Sequence, residues 1–335
     1  MYTRFMHMIM SVLVGLAAVQ AAAAQNKIVM KIGHVLSVES AYHLTALELA
    51  RLVKQKSAGR IEVLVFPQAQ LGGEVQMAQA LRTGTQELMI SSTGAIENTV
   101  KQFQIFDLPF LFSGFEDGNR VMQGPVGKKF LDMLPAANIV GLAWLSVLER
   151  DLFTTKKPVN SLSDLKNMKI RVMQSPGYIA GYKALGANPT PMAYSQLFLA
   201  LSQGLVDGAD TSPDQMIQDK FSDISKHFYL TRVNYLPALI TVGQNAWSRL
   251  SPDLQKALKE AADEAGRFHL VEYRKQYEKG LVQLKATGTM VHEVDTRAWI
   301  AATEAVRSQL TAKVPDGAAL YAEIMAARRA APGAK

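Results

Sequence analysis

There is no cysteine among the 335 residues. Disulfides, thiolate metal sites and cysteine nucleophiles are excluded together, and the protein needs no particular redox poise. Long apolar runs are missing after residue 24, and a membrane-spanning helix wants ~20 apolar residues. Catalytic signatures are missing too: no G-x-S-x-G, no H-E-x-x-H, and no G-x-G-x-x-G after a strand. The run Gly124 to Lys129 has the wrong glycine spacing for a phosphate loop, and no Ser or Thr follows its lysine. His34, His43, His227, His269 and His292 never stand three or four apart, so no helix carries a metal-binding pair. Acids are outnumbered 29 to 36, a net charge of +7 that is spread along the chain. The pairs Lys128–Lys129 and Lys156–Lys157 lack interleaved aromatics, which argues against nucleic acid as a partner. A mildly positive body still attracts small anions. The expectation is a protein with no catalytic residue, no metal and no cofactor.

What is present begins with a leader. Arg4 is the one charge in Met1–His7, and residues 8–24 are apolar and small, ending in four alanines before Gln25. A positive start, a short greasy segment and an Ala-x-Ala end describe a secretory signal peptide, cut near Ala24, and a periplasmic location. The alternative, a membrane anchor, suits this Ala-rich segment less well. The remaining chain exceeds the ~250–300 residues at which single cores stop growing, so two cores are expected.

Short apolar strands alternate with helical spacing, the pattern of an α/β protein with mostly parallel sheets. Strands are predicted at 28–33, 61–66, 88–91, 138–147, 168–173 and 189–192, with helices at 42–59, 75–81, 176–185 and 194–203. Two α/β units follow, and the crossing near Leu148–Arg150 reads as a strand or hinge. From Ser251-Pro252, an N-cap followed by a first-turn proline, one long helix runs to about Thr287. Leu254, Leu258, Ala261, Ala265 and Phe268 form one stripe on it; Leu270, Tyr273, Tyr277, Leu281 and Leu284 form another. At 100° per residue the stripes differ by roughly 140°, as expected of a strut that packs on one unit and then on the other. A break at Gly280 is the alternative.

Arg171 stands alone between Ile170 and Val172, a charge set among β-formers. Such a cation is either turned to solvent or held for an anionic ligand.

The segments carrying it, RDLFTTKKPV from 150, SDLKNMKIRV from 163, KALGANPTPM from 183 and ALSQGLVDGAD from 200, resemble the extracytoplasmic solute-binding subunit of TRAP (tripartite ATP-independent periplasmic) transporters. KIGHVLS at 31–37, SAGRIEVLVFPQAQLGGEVQM at 57–77, FDLPFLF at 106–112 and LSPDLQKAL at 250–258 extend the likeness over nearly the whole mature chain. The resemblance implies a periplasmic-binding-protein fold of type II-like, two-lobed flytrap form, spanned by a long helix. Lobe I would comprise 25–148 plus about 236–272, and lobe II 149–235 plus about 273–330. It implies a monomer, not an enzyme, that captures a small carboxylate, a dicarboxylate or sugar acid above all, and delivers it to TRAP membrane permease subunits. A two-lobed binder for an ABC-type importer or a sensor kinase is the alternative.

By the same resemblance Arg171 is the arginine that binds the ligand's carboxylate, which its planar five-donor fork suits. Arg150 matches a second arginine that touches ligand directly or through water; a hinge salt bridge is the other reading. Thr211 takes the place of an asparagine after V-D-G-x-E, and a hydroxyl lacks the amide's paired donors. Asn167 replaces a usual glycine and is expected at positive φ. Glu74, after Gln70-Leu71-Gly72, falls where ligand or water contacts lie in the family, or is simply an acid in a helix's first turn. Ser91 and Ser92 end a strand at the crevice where open α/β sheets bind ligands. Phe110, Phe198 and Tyr235 are candidate walls.

Overall fold

The computed structural model describes residues 27–330, so the expected signal peptide lies outside the described residues. Among these, nine strands form one sheet in the order β2-β1-β3-β8-β4-β7-β5-β6, with β9 beside β8. They are β1 (Ile28–Gly33), β2 (Ile61–Phe66), β3 (Leu88–Ser92), β4 (Ile139–Thr154), β5 (Lys169–Val172), β6 (Asn188–Pro191), β7 (Gly208–Thr211), β8 (His227–Gly243) and β9 (Met290–Glu293). The strands β1–β2, β1–β3, β5–β6, β5–β7 and β8–β9 pair in parallel, but β8 and β4 run antiparallel to each other and to β3 and β7. The sheet is therefore mixed: its outer parts pair in parallel, and its two long central strands run antiparallel. Alternation of strand and helix predicts each half and is silent about the two strands that join them.

Those two strands are the frame. β4 continues seven residues past the predicted end at Val147, through Arg150 to Thr154, and β8 is 17 residues long. The far side of β8 pairs with β9 over 227–230 and with β3 over 238–242. Pro237 falls in the gap between these partners, where a missing N–H breaks no ladder on that side. The expected crossing at Leu148–Arg150 is thus continuous strand, with register shifts at Trp144/Val147 and Arg150/Leu152. Asn167 turns the chain into β5 at φ 64°, in the left-handed region asparagine tolerates.

The long helix is Pro252–Ala286, unbroken through Gly280. Its buried set runs Leu254, Leu258, Ala261, Ala265, His269, Tyr273, Tyr277, Gly280, Leu284. This face turns gradually by roughly 100° between its first four and last four members at 100° per residue, where the sequence predicts a jump of roughly 140°. Phe268 is exposed, and His269 with the glycines carries the face through the middle. Hydrophobicity alone misses glycine and histidine used for close approach. A Cβ on Gly266 would stand 2.9 Å from the Trp144 carbonyl of β4, and one on Gly280 2.5 Å from the Asp214 backbone N. In its first half Glu264 pairs with Lys56 of the helix Ala41–Lys56 at 2.6 Å, and in its second half Gly280 closes on Asp214 beyond β7, so the strut touches elements on both sides of the central strands. The last helix, Gly317–Arg329, packs against Phe115–Gln123, where Arg328 Nε donates to Asp117 at 2.5 Å.

Segments following β3 and β5 meet at a buried acid pair. Glu97 and Asp107 are fully buried, Ser175 donates to Asp107 Oδ2 at 2.5 Å, and neither Glu97 oxygen has a donor. Burial first, then the Asp107 charge, pushes the Glu97 pKa far up from 4.5, and burial raises Asp107 too. Glu97 therefore keeps its proton in the folded state at neutral pH. Because the unfolded carboxyl ionises near 4.5, its stabilisation is complete below that pH and is lost as pH rises toward the folded pKa. Glu97→Gln is expected to flatten the decline in unfolding free energy between pH 5 and 8, by up to ~1.4 kcal/mol per pH unit, in urea titrations at each pH.

Candidate functional site

Parallel strands converge their carboxyl ends where the sheet changes direction, and open α/β sheets bind ligands there. β3 delivers Ser92, β5 delivers Arg171, and the second half of β4 delivers Arg150. Together with the start of the helix Glu74–Thr83 and the segment after β6, they wall a cavity of about 370 Å³. That lies within the range of about 300–1,000 Å³ usual for small-molecule sites. Glu74, Ser92, Arg150 and Arg171 all line it. Ser91 and Thr211 do not: both are fully buried, Ser91 with its hydroxyl unpartnered, Thr211 donating to Gln215 Oε1 at 2.6 Å. Gln215 itself lines the cavity, so Thr211 touches the wall only through that hydrogen bond. Phe110 and Tyr235 are not among the lining residues, and Phe198 lines a neighbouring cavity of about 350 Å³.

Arg171 is 2% exposed. Its Nε and Nη2 donate to one backbone carbonyl, that of Met192, at 3.1 and 2.9 Å. The Tyr194 ring lies 5.7 Å from its Cζ, a cation–π distance. The remaining nitrogen, Nη1, is buried with no hydrogen-bond partner. No salt bridge to Arg171 exists among the described residues. Burial pulls its pKa down to about 10; Asp210 opposes the drop and Arg150 adds to it. A guanidinium in this state gains from any anion that reaches Nη1.

Arg150 is committed. Its Nε donates to Asp210 Oδ2 at 3.0 Å, Nη2 to the Asp210 carbonyl, and Nη1 to Gln215 Oε1 at 3.4 Å. Burial lowers its pKa, yet the charge and hydrogen bond of Asp210 outweigh that and hold it above the ordinary value. The register makes this pair: Leu152 lies opposite Asp210 and Asp151 opposite Thr211, which sets Arg150 beside the end of β7. On the opposite wall, Glu74 accepts from Ser92 N–H at 3.0 Å and from Ser92 Oγ at 2.7 Å. Burial pushes the Glu74 pKa up, against those hydrogen bonds and the two guanidiniums.

The sequence reading missed four contributors: Asp210, Gln215, Tyr42 and the Met192 carbonyl. Asp210 was legible, as the acid of V-D-G-A-D beside the singled-out Thr211. Tyr42, whose buried hydroxyl has no partner, looks in sequence like any apolar helix position. Two histidine contacts also lay beyond a spacing test: His34–His43 at 3.1 Å and His227–His292 at 3.4 Å. Among the described residues no three His, Asp or Glu side chains gather as a metal site requires.

The model of the bacterial extracellular solute-binding proteins, family 7, matches residues 32–313. The C4-dicarboxylate-binding periplasmic protein DctP of Rhodobacter capsulatus is 29% identical over 329 residues, 95% of this chain and 98% of that one. The sugar acid binding protein DctPAm of Advenella mimigardefordensis, solved with galactonate, superposes with a TM-score of 0.87 at 27% identity, covering 90% of this chain and 99% of the other. A TRAP periplasmic solute-binding protein of Polaromonas sp. JS666, solved with D-erythronate, gives 0.86 at 32%, again over 90% and 99%. These likenesses carry the two-lobed fold with its spanning helix, and the family and its neighbours are transport proteins, not enzymes. With a buried guanidinium facing a cavity between the two halves of the sheet, the chain belongs to family 7 of the bacterial extracellular solute-binding proteins, the solute-binding subunits of TRAP type.

Proposed function

We propose that this protein captures a small organic acid, a sugar acid or dicarboxylate, by a salt bridge between the ligand's carboxylate and Arg171. It then delivers the acid to a TRAP membrane permease. One observation carries the reading: a buried, charged guanidinium in the cavity wall has one nitrogen without a partner. Burying a cation is costly unless it is paired, and a carboxylate supplies the missing pair. Arg150, Glu74 and Ser92 line the same space, and Thr211 acts through Gln215. Ser91 precedes Ser92 in the same strand. The lobes, 25–148 plus about 236–272 and 149–235 plus about 273–330, close over the ligand. The protein works in the periplasm as a monomer, after cleavage near Ala24. Among the described residues no helix is long and apolar enough to cross a membrane.

The mature protein is expected to melt at higher temperature with the right acid, because a ligand at 100 times its Kd stabilises by about 2.7 kcal/mol. A thermal-shift panel of aldonates, uronates, dicarboxylates and keto acids, followed by calorimetry on the best, measures this. A panel in which no acid moves the melting point, at millimolar concentration, overturns the reading.

A further inference from the structure

Neither Glu97 nor Asp107 lines the cavity, yet both stand beside residues that do. Gly94 and Ala95, in the turn Thr93–Ala95 after β3, line it, as do Met173 and Gln174 after β5. The two stretches touch: a Cβ on Gly94 would lie 3.0 Å from Met173 Cε. Directly after Gln174 comes Ser175, the N-cap of the helix Pro176–Ala184, whose Oγ accepts from the Tyr178 N–H at 3.3 Å. The same hydroxyl donates to Asp107 Oδ2 at 2.5 Å, and the Gly177 N–H donates to that carboxylate as well. Glycine is what lets the two close, since a Cβ on Gly177 would stand 2.3 Å from Asp107 Cβ. Asp107 therefore puts its charge at the N-terminus of a helix in the other proposed lobe, where the helix dipole favours an anion. Asn234 of β8 holds the Asp107 carbonyl at 3.1 Å.

Both Glu97 oxygens and Asp107 Oδ1 are buried with no donor among the described residues, while the two side chains bond to each other. Two ionised carboxylates only accept, so that bond needs a proton between them. We infer that Glu97 and Asp107, joined by one shared proton, are a positioning pair for the ligand cavity. They hold the residues that follow β5, and with them the strand carrying Arg171, against the residues that follow β3. The Glu97 O–H serves the donorless oxygen of Asp107, which leaves the rest of that carboxylate to Ser175 and Gly177. A binding wall keeps its geometry when hydrogen bonds behind it lock the residues in front. The inference rests on this cavity being the capture site, as proposed above, and adds to it two residues that never touch the acid.

The probe is galactonate, erythronate or succinate, whichever the mature wild-type protein binds most tightly by calorimetry. Ser175→Ala removes the donor to Asp107, and Asp107→Ala removes the grip itself. Each is expected to weaken that binding by ~10-fold or more, the worth of one charge-assisted hydrogen bond, at a temperature where unfolding curves show the variant fully folded. Glu97→Ala should do the same, whereas Glu97→Gln, whose amide still donates to Asp107, should restore affinity to within about threefold of wild type. A merely structural pair would lower the melting points and leave the affinity of the folded variants alone. The shared proton has its own signature in the free protein. At pH 8, where ordinary carboxyls are ionised, the infrared difference between wild type and Glu97→Gln should contain the C=O stretch of a protonated carboxyl. Affinity within about threefold of wild type in both Ser175→Ala and Asp107→Ala overturns the inference and leaves capture standing. So does a Glu97→Gln protein as weak as Glu97→Ala, or a difference spectrum without that band. Should either alanine variant of the acids not fold, Ser175→Ala and Glu97→Gln decide between them. A wild type that binds none of the three acids, even with the band present, sinks the capture reading and the positioning role together.

Discussion

Arg171→Ala is expected to weaken binding of the captured acid by about 3–5 kcal/mol, the cost of stripping one partner from a buried ion pair. That is at least ~100-fold in Kd by calorimetry. The free protein should lose little stability. Alanine gives up two hydrogen bonds to the Met192 carbonyl, but it also removes a buried cation that burial already disfavours, to a pKa of about 10. The two costs oppose, so the unliganded melting point should move little while the ligand-induced shift disappears. Arg171→Lys should fail nearly as badly. The planar fork holds two donors on the Met192 carbonyl and leaves a third, Nη1, without a partner, a geometry an ammonium cannot reproduce. Wild-type affinity should be flat through the neutral range, because a guanidinium keeps its charge even where burial lowers its pKa, and calorimetry at several pH values checks this. Near-wild-type affinity in Arg171→Ala would take this residue out of the site.

The second large effect concerns Asp210, and it is expected in folding rather than in capture. Asp210→Ala leaves Arg150, 4% exposed, as a buried cation with its principal partner gone. Breaking a buried pair from one side costs about 3–5 kcal/mol, read as a lower midpoint in urea or thermal unfolding of the unliganded protein. Replacing both partners together, Arg150→Met with Asp210→Leu, should recover most of that loss, since apolar residues of similar volume avoid the stranded charge. The double variant also separates the two readings of Arg150. If its affinity for the acid stays within about threefold of wild type, Arg150 is a structural salt bridge between β4 and β7. A loss beyond ~10-fold places Arg150 on the ligand. An Asp210→Ala protein as stable as wild type would mean the pair contributes nothing to the fold.

Much of this site was legible before any coordinates. An isolated arginine between Ile170 and Val172 is a local fact, because strand alternation sets its side chain apart from both neighbours. Glu74 after a glycine pair and Ser92 at a strand's end are also local, and both line the cavity. Thr211 was drawn in because it sits in the right motif, but its short hydroxyl stops at Gln215, and the longer amide reaches the wall instead. Tyr42 and Gln215 carry no signal of their own in the sequence, since each has the same look as dozens of helical positions elsewhere.

The long helix teaches the same lesson from the other direction. Its length and its start follow from the first-turn proline Pro252 and from periodicity, which act within a few residues; Ser251 itself makes no side-chain capping bond. Its buried face was misread at Phe268, because close contact there is made by glycine and histidine against β4 rather than by the largest apolar side chain.

Residue chemistry within one turn or one strand was thus enough for the α/β class and the long strut, while the family and the role of Arg171 came from the likeness of several motifs in order. Strand pairing alone decided which arginine is free. Arg150 and Arg171 look equally available along the chain, but β7 brings Asp210 to Arg150 across 60 residues and leaves Arg171 a mere carbonyl. Charge partners at such separations depend on register, and register is set by how whole sheets pack, which no short window of sequence contains.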